Sequence, residues 1–172
     1  MVRTWTLGVV VAAVLLAGCW WLFGGDRDLR KITRQSEKLA AALHKDPGDG
    51  LLGIAARSHD IAAFFAKKIT LAPGDPLPSI GSREELITVA ATTLQAANSL
   101  DVKILDCDLS WVEPHVKAAM RVAVEVVVAL QGERQKLMHT YELMWILEEE
   151  RWVIASAQVS ESIRRPESTD RR

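Results

Sequence analysis
From Leu100 to Ser160 apolar and polar positions alternate along the chain. Three polar breaks divide the stretch: Val112-Glu113-Pro114-His115, Gln131-Gly132-Glu133-Arg134 and Glu148-Glu149-Glu150-Arg151. Period-two alternation interrupted by turn residues predicts four consecutive antiparallel strands joined by hairpins. Tight turns would pair Trp111 with Val116 and Cys107 with Met120 across the first break. Across the second they pair Val126 with His139, Val124 with Tyr141 and Val122 with Leu143. Across the third, Leu147 meets Trp152, Trp145 meets Ile154, Leu143 meets Ser156 and Tyr141 meets Gln158. Successive strand residues point to opposite faces, so these pairings sort the side chains into two sets. One face collects Leu105, Cys107, Leu109, Trp111, Val122, Val124, Val126, Leu143, Trp145, Leu147, Trp152 and Ile154. So large an apolar surface requires a cover.

The opposite face carries Arg121, Glu125, Thr140 and Glu142 among Ala119, Ala123, Val127, Met138, Met144, Ile146, Val153, Ala155 and Ala157. Contiguous small and adaptable apolar residues predict a second partner surface. A two-fold axis is the simplest way to bury one patch against itself. The expectation is a homodimer through this outer face, with Arg121 of one subunit meeting Glu125 or Glu142 of the other.

Ahead of the strands the period changes to that of helices. Residues 28 to 45 place Leu29, Ile32, Leu39 and Leu43 on one stripe, and residues 51 to 67 repeat the pattern with Leu51, Ile54, Ser58, Ile61, Ala62 and Phe65. A short extended piece follows at Ile69-Thr70-Leu71, then a proline- and glycine-rich loop from Ala72 to Pro78. Ser82-Arg83-Glu84-Glu85 forms a capping box that opens a third helix carrying Leu86, Val89, Leu94 and Ala97 and ending near Asn98. The fold class is α+β: a strongly curved antiparallel sheet of four long strands and a short one, wrapped around three helices.

Residues 5 to 23, Trp5 to Phe23, hold no charge. As a helix they would span about 28 Å, close to the hydrocarbon thickness of a bilayer. Trp20 and Trp21 suit the interface, and Arg3 and Asp26-Arg27 bound the run. Three readings compete: a retained transmembrane signal anchor, a lipoprotein signal, and a plain secretory signal. In the second, Leu16-Ala17-Gly18-Cys19 resembles a bacterial lipobox and Cys19 is lipidated. The apolar continuation Trp20-Trp21-Leu22-Phe23 favours the first. Arg27, Arg30, Lys31 and Arg34 oppose export by the positive-inside rule, whereas the short tail before the apolar run favours it. The expectation is an inner-membrane anchor over residues 1–25, an extracytoplasmic domain over 26–163 and a frayed tail over 164–172.

Composition adds mainly exclusions. A formal net charge of -1 gives no basic footprint for nucleic acid. Two cysteines make no disulfide framework, and Cys107 on the covered face reads as a core thiol. His44, His59, His115 and His139 show no metal-ligand spacing, and there is no phosphate loop or nucleophile elbow, so no cofactor is expected.

This element order, with Ile80-Gly81-Ser82-Arg83-Glu84-Glu85-Leu86 before the third helix and Arg151-Trp152-Val153-Ile154 opening the last strand, resembles the nuclear transport factor 2-like superfamily over residues 28 to 162. The resemblance implies a cone with an apolar pocket between sheet and helices, and commonly dimers through the outer sheet face. Members include ketosteroid isomerase, scytalone dehydratase, limonene epoxide hydrolase and polyketide cyclases, beside many without catalysis. Fold alone therefore assigns no chemistry.

The register lines the pocket with Trp111, Val124, Val126, His139, Tyr141, Trp145, Ser156 and Gln158. His139 and Tyr141 are the catalytic candidates, an imidazole and a phenol able to move a proton or polarise a carbonyl. An inward carboxylate is missing. Asp101, Asp106 and Asp108 are read as facing away, although Ile104-Leu105 suggests a bulge that could re-aim one of them. His59-Asp60 sits on a helix with side chains about 100° apart and reads as solvent-exposed. The leading expectation is a membrane-tethered, non-catalytic module of the bacterial envelope that binds a small apolar ligand or a protein. The alternatives are an enzyme transferring protons on a small apolar substrate, and an assembly subunit whose cone is filled by Trp111, Trp145, Trp152 and Phe65.

Overall fold
In the computed structural model, which describes residues 27–72, 79–130 and 132–164, helix α1 runs over residues 27–43. Its stripe meets the sheet: Ile32 is fully buried, and Ser36 Oγ lies 3.3 Å from Met120 Sδ. Helix α2 spans Leu51–Ala62 and buries Ile54, Ser58, Ile61 and Ala62, one side of a 3.6-residue period. The predicted second helix ends five residues early. Phe65–Ala72 is strand β1, because Phe65, Ile69 and Leu71 bury against the sheet while Lys67, Lys68 and Thr70 face solvent. Leu51, placed on the apolar stripe, is exposed instead.

Strand β2 (Ile80–Ser82) pairs antiparallel with β1, and α3 (Arg83–Ala96) follows at once. The capping box forms with one change. Ser82 Oγ accepts from the Glu85 N–H at 3.2 Å, but Glu85 Oε2 accepts from the Gly81 N–H, at 2.8 Å. The four long strands are β3 (Ser99–Glu113), β4 (Lys117–Leu130), β5 (Glu133–Glu148) and β6 (Arg151–Arg164). The sheet has six strands, not five, in the order β2-β1-β6-β5-β4-β3. All neighbours are antiparallel except β1 and β6, which are parallel.

The pairings of β3 with β4 and of β4 with β5 slip by two residues from those of tight hairpins. Trp111 meets Ala118, Val124 meets His139 and Val122 meets Tyr141. A two-residue slip keeps every side chain on its predicted face. Four irregularities do not. Leu105 has no partner between Ile104 and Asp106, Val112 none between Trp111 and Glu113, Ala155 none between Ile154 and Ser156, and Ser160 none between Val159 and Glu161. Each extra residue inverts the alternation beyond it and bends the strand.

The hairpin end of the enclosed space is filled by Trp145, Trp152 and Phe65, all buried, with Trp111 packed 5.7 Å from Trp152 between ring centroids. At the opposite end Lys45, only 6% exposed, crosses under α3. Its ammonium donates to the carbonyls of Leu94 (2.6 Å) and Ala97, and its backbone pairs with Leu100. These carbonyls end a helix, where a cation is favoured. The apolar run 5–23, Cys19 and the tail beyond residue 164 lie outside the described residues. Among the described residues no helix is long and apolar enough to cross a membrane.

Candidate functional site
Between α1 and the inner face of the sheet lies a cavity of about 220 Å³. Helix α1 contributes Ser36, Leu39, Ala40 and Leu43, which share one face at spacings of three and four. Strand β3 contributes Val102 and Ile104, β4 contributes Val122, Val124 and Val126, and β5 contributes Tyr141 and Leu143. Phe65, Ile154 and Ala157 complete the wall.

Two side chains in this wall are polar. The Ser36 hydroxyl donates to the Ile32 carbonyl at 3.0 Å, as helix-interior serines do. Tyr141 brings the phenol. Burial pushes its pKa above the ordinary 10.0, because removing water disfavours the phenolate. At physiological pH the group is therefore neutral and keeps its proton to donate. His139 lies two positions along β5 on the same face, half-buried, its ring 5.9 Å from that of Tyr141 at an interplanar angle of 47°. Both candidates thus share the face of Val124 and Val126, but Tyr141 lines the cavity and His139 does not.

Four other expected pocket residues are elsewhere. Trp111 and Trp145 face inward but pack at the hairpin end, outside the cavity lining. Ser156 and Gln158 face outward, because the bulge at Ala155 pairs Ser156 with Met144 and Gln158 with Glu142. Ala157, expected outside, takes the inward place opposite Leu143. Leu105 is the exposed bulge residue, and Cys107 is exposed although it keeps the inward register opposite Val122. The alternation therefore identified Val124, Val126 and Tyr141 but missed Val102 and Ile104. The apolar run Ile104-Leu105, where period two breaks, is the signal that locates them.

Among the described residues no carboxylate lines the cavity. Asp101, Asp106 and Asp108 pair with Val127, Ala123 and Arg121, all outward. His59 and Asp60 are both exposed. His44 lies 3.2 Å from Asp101 and 3.3 Å from Asp46, on the surface. Among the described residues no group of three His, Cys, Asp or Glu is placed to hold a metal ion.

The outer face is also shaped. A groove of about 450 Å³ runs over it, lined by Thr70, Asp108, Ser110, Arg121, Glu142, Ser156 and Gln158 with Ala119 and Met144. Arg121 stands in register between Asp108 and Glu142. Gln158 Nε2 donates to Glu142 Oε2 at 2.8 Å, and Lys136 pairs with Glu125 at 2.8 Å.

No protein-family model and no curated protein matches the chain. Solved structures do. A protein provisionally assigned as a dehydratase of the NTF2-like family from Streptomyces avermitilis superposes with a TM-score of 0.62 at 11% identity, covering 78% of this chain and 96% of its own. A protein of unknown function with a cystatin-like fold from Nostoc punctiforme gives 0.58 at 16% identity, covering 77% and 89%. The association domain of C. elegans CaMKII gives 0.58 at 12% identity, covering 80% and 98%. The chain therefore has the nuclear transport factor 2-like, cystatin-like fold. At these identities the likeness concerns fold alone.

Proposed function
We propose that this chain is a non-catalytic module that binds a small apolar ligand, tethered to the envelope membrane by residues 5–23 and dimeric through the outer face of its sheet. The cavity carries the reading. Its wall is aliphatic and aromatic, and its one polar group not held by the backbone of its own helix is a neutral phenol. Such a wall favours an uncharged ligand with at most one hydrogen-bond acceptor. Proton-transfer chemistry needs a titrating group against the substrate with a pKa near the working pH, and burial moves Tyr141 away from that range. His139 stands outside the lining and the nearest aspartates face away, so the dehydratase-like neighbours carry little weight for activity here. The neighbouring association domain and the outer row of Ala119, Ala123 and Met144 support self-association.

The test is native mass spectrometry of the full chain taken from membranes into an amphipathic polymer. Wild type should carry a small adduct, and Val126→Trp, which fills the cavity, should lose it and gain no thermal stability from apolar additives. Adduct-free wild type that also gains no thermal stability from apolar additives would sink the ligand reading. The same spectra report subunit number. Ala123→Glu should shift the dimer to monomer, since the dimer would bury one uncompensated carboxylate from each subunit.

A further inference from the structure
The exposed large apolar side chains of this domain are not evenly scattered. Among the described residues, Val112 (55% exposed), Val116 (46%) and Leu147 (41%) meet at one end of the sheet. There the Leu147 N–H donates to the Val116 carbonyl at 3.0 Å. Single exposed apolars need no partner, but adjacent ones call for an explanation. The same end holds the start of α1: His115 Nδ1, in the turn between β3 and β4, lies 3.1 Å from Asp28 Oδ2.

That position fixes the height of the turn. Only Gly24, Gly25 and Asp26 separate Phe23, the end of the uncharged run, from Arg27. Four residue steps reach at most about 14 Å. With Phe23 at the hydrocarbon edge, Arg27 lies within that distance and Asp28, which is bonded to the turn, within about 18 Å; the headgroup layer fills roughly 5–8 Å of this reach. We infer that the turn between β3 and β4 is a second membrane contact, with Val112, Val116 and Leu147 resting in the headgroup layer of the bilayer that residues 5–23 cross. The inference rests on the proposed tether. It sets the start of α1 on the membrane side of the domain.

The charges nearby decide the lipid. The two turns at this end carry Glu113, Glu148, Glu149 and Glu150, against Lys117 and Arg151 within them and Lys67, which lies 3.0 Å from Glu149. Arg27 and Arg30 stand at the start of α1. With no basic surplus on the turns, the contact is apolar and needs no anionic lipid.

The experiment uses the full chain with Cys19→Ser and Cys107→Ser, carrying Val112→Cys, Val116→Cys or Leu147→Cys labelled with an environment-sensitive fluorophore, in phosphatidylcholine nanodiscs. Leu52→Cys is the control: Leu52 is 89% exposed at the opposite end, beyond the length of α1. The three turn labels should shift to the blue and lose intensity to a headgroup nitroxide, and the label at 52 should do neither. Adding phosphatidylglycerol should leave the shift unchanged. Solvent-like turn labels, equal quenching at 52, or a blue shift without quenching, which marks a protein contact, would each overturn the inference. Carbonate extraction separates the two levels. A chain released by carbonate refutes the tether itself, whereas a retained chain with solvent-like turn labels refutes only the second contact.

Discussion

Lys45→Met removes one buried charge while nearly conserving side-chain length, and it isolates what ties the segment after α1 to the end of α3. The ammonium donates to Leu94 O at 2.6 Å and to Ala97 O, on residues only 2% and 1% exposed. The backbone donors that follow α3 are engaged elsewhere: the Asn98 N–H goes to Ala129 O, and the Leu100 N–H to Lys45 O. Each charge-assisted bond contributes about 1.5–3 kcal/mol, and the helix end adds up to ~1 kcal/mol. Desolvating the ammonium, which costs several kcal/mol, is no longer required in the variant. The net expectation is a loss of about 2–4 kcal/mol. At roughly 3 °C per kcal/mol this lowers the melting temperature by about 6–12 °C. Tryptophan fluorescence follows the unfolding, since Trp145 and Trp152 are 0% and 2% exposed. The backbone bonds between Lys45 and Leu100 persist in every variant, so the difference reads the side chain. Lys45→Gln, which keeps an N–H donor, should recover part of the loss. A Lys45→Met chain within about 0.5 kcal/mol of wild type, or more stable, would refute the reasoning.

Glu149 and Glu150 sit at φ 49° and 63°, a left-handed turn that side chains disfavour. Glu149→Asn with Glu150→Gly should stabilise by about 1–2 kcal/mol, and a lower melting temperature would contradict this. Burial of Asp28 opposes its ionisation, but hydrogen bonds from Lys31 and His115 outweigh that and hold its carboxyl below the ordinary 3.8. A depressed carboxyl contributes stability above its unfolded pKa and loses it as pH falls through the folded value. Asp28→Asn should therefore destabilise near pH 7 and be neutral near pH 2; equal losses in melts at both would rule this out. Ser82→Ala removes the cap on α3 and should cost about 1 kcal/mol by urea unfolding, with no loss expected if the Ser82–Glu85 bond is absent in solution. Deleting Ala155 should remove the bulge but leave Ser156 opposite Met144 and Ala157 opposite Leu143, so cooperative unfolding in calorimetry should persist. A deletion variant without a cooperative transition would contradict this register.

Most of the architecture was legible because it rests on two strong periodicities. The helical stripe through Ile32 and the alternation through Val122, Val124 and Val126 are dictated by burial, and both appear as read. Errors fell where the period changes without a proline or glycine to mark it. Phe65 fits the stripe of α2 as well as the first position of β1, so spacing alone could not separate helix from strand. The first two hairpins pair two residues off from the expectation, an error that faces cannot reveal, while the third pairs Leu147 with Trp152 as expected. The bulges at Ala155 and Ser160 left no trace, because Ala155 and its neighbours are tolerated on either face. Lys45 was missed for a different reason: a buried lysine is recognisable only from the carbonyls that surround it.

The bulges also determine what the cavity can bind. Strict alternation carried back from Cys107 would turn Lys103 and Asp101 inward; the extra Leu105 puts Ile104, Val102 and Leu100 there instead. Strict alternation carried on from Ile154 would turn Ser156 and Gln158 inward; the extra Ala155 puts Ala157 there. Bulging at these two residues, in place of strict alternation, thus gives a wall of aliphatic groups instead of one bearing a carboxylate, an ammonium, a hydroxyl and an amide. The polar set moves to the outer groove, where Gln158 bonds Glu142 and Asp108 stands beside Arg121. An enzyme of this fold would gain from the opposite arrangement, since a titrating group inside an apolar cavity is what shifts a pKa into a useful range. In the cavity wall the shift falls on Tyr141, and it moves the phenol further from ionising. The placement of Leu105 and Ala155 is therefore an argument for ligand binding that does not depend on any neighbour's activity.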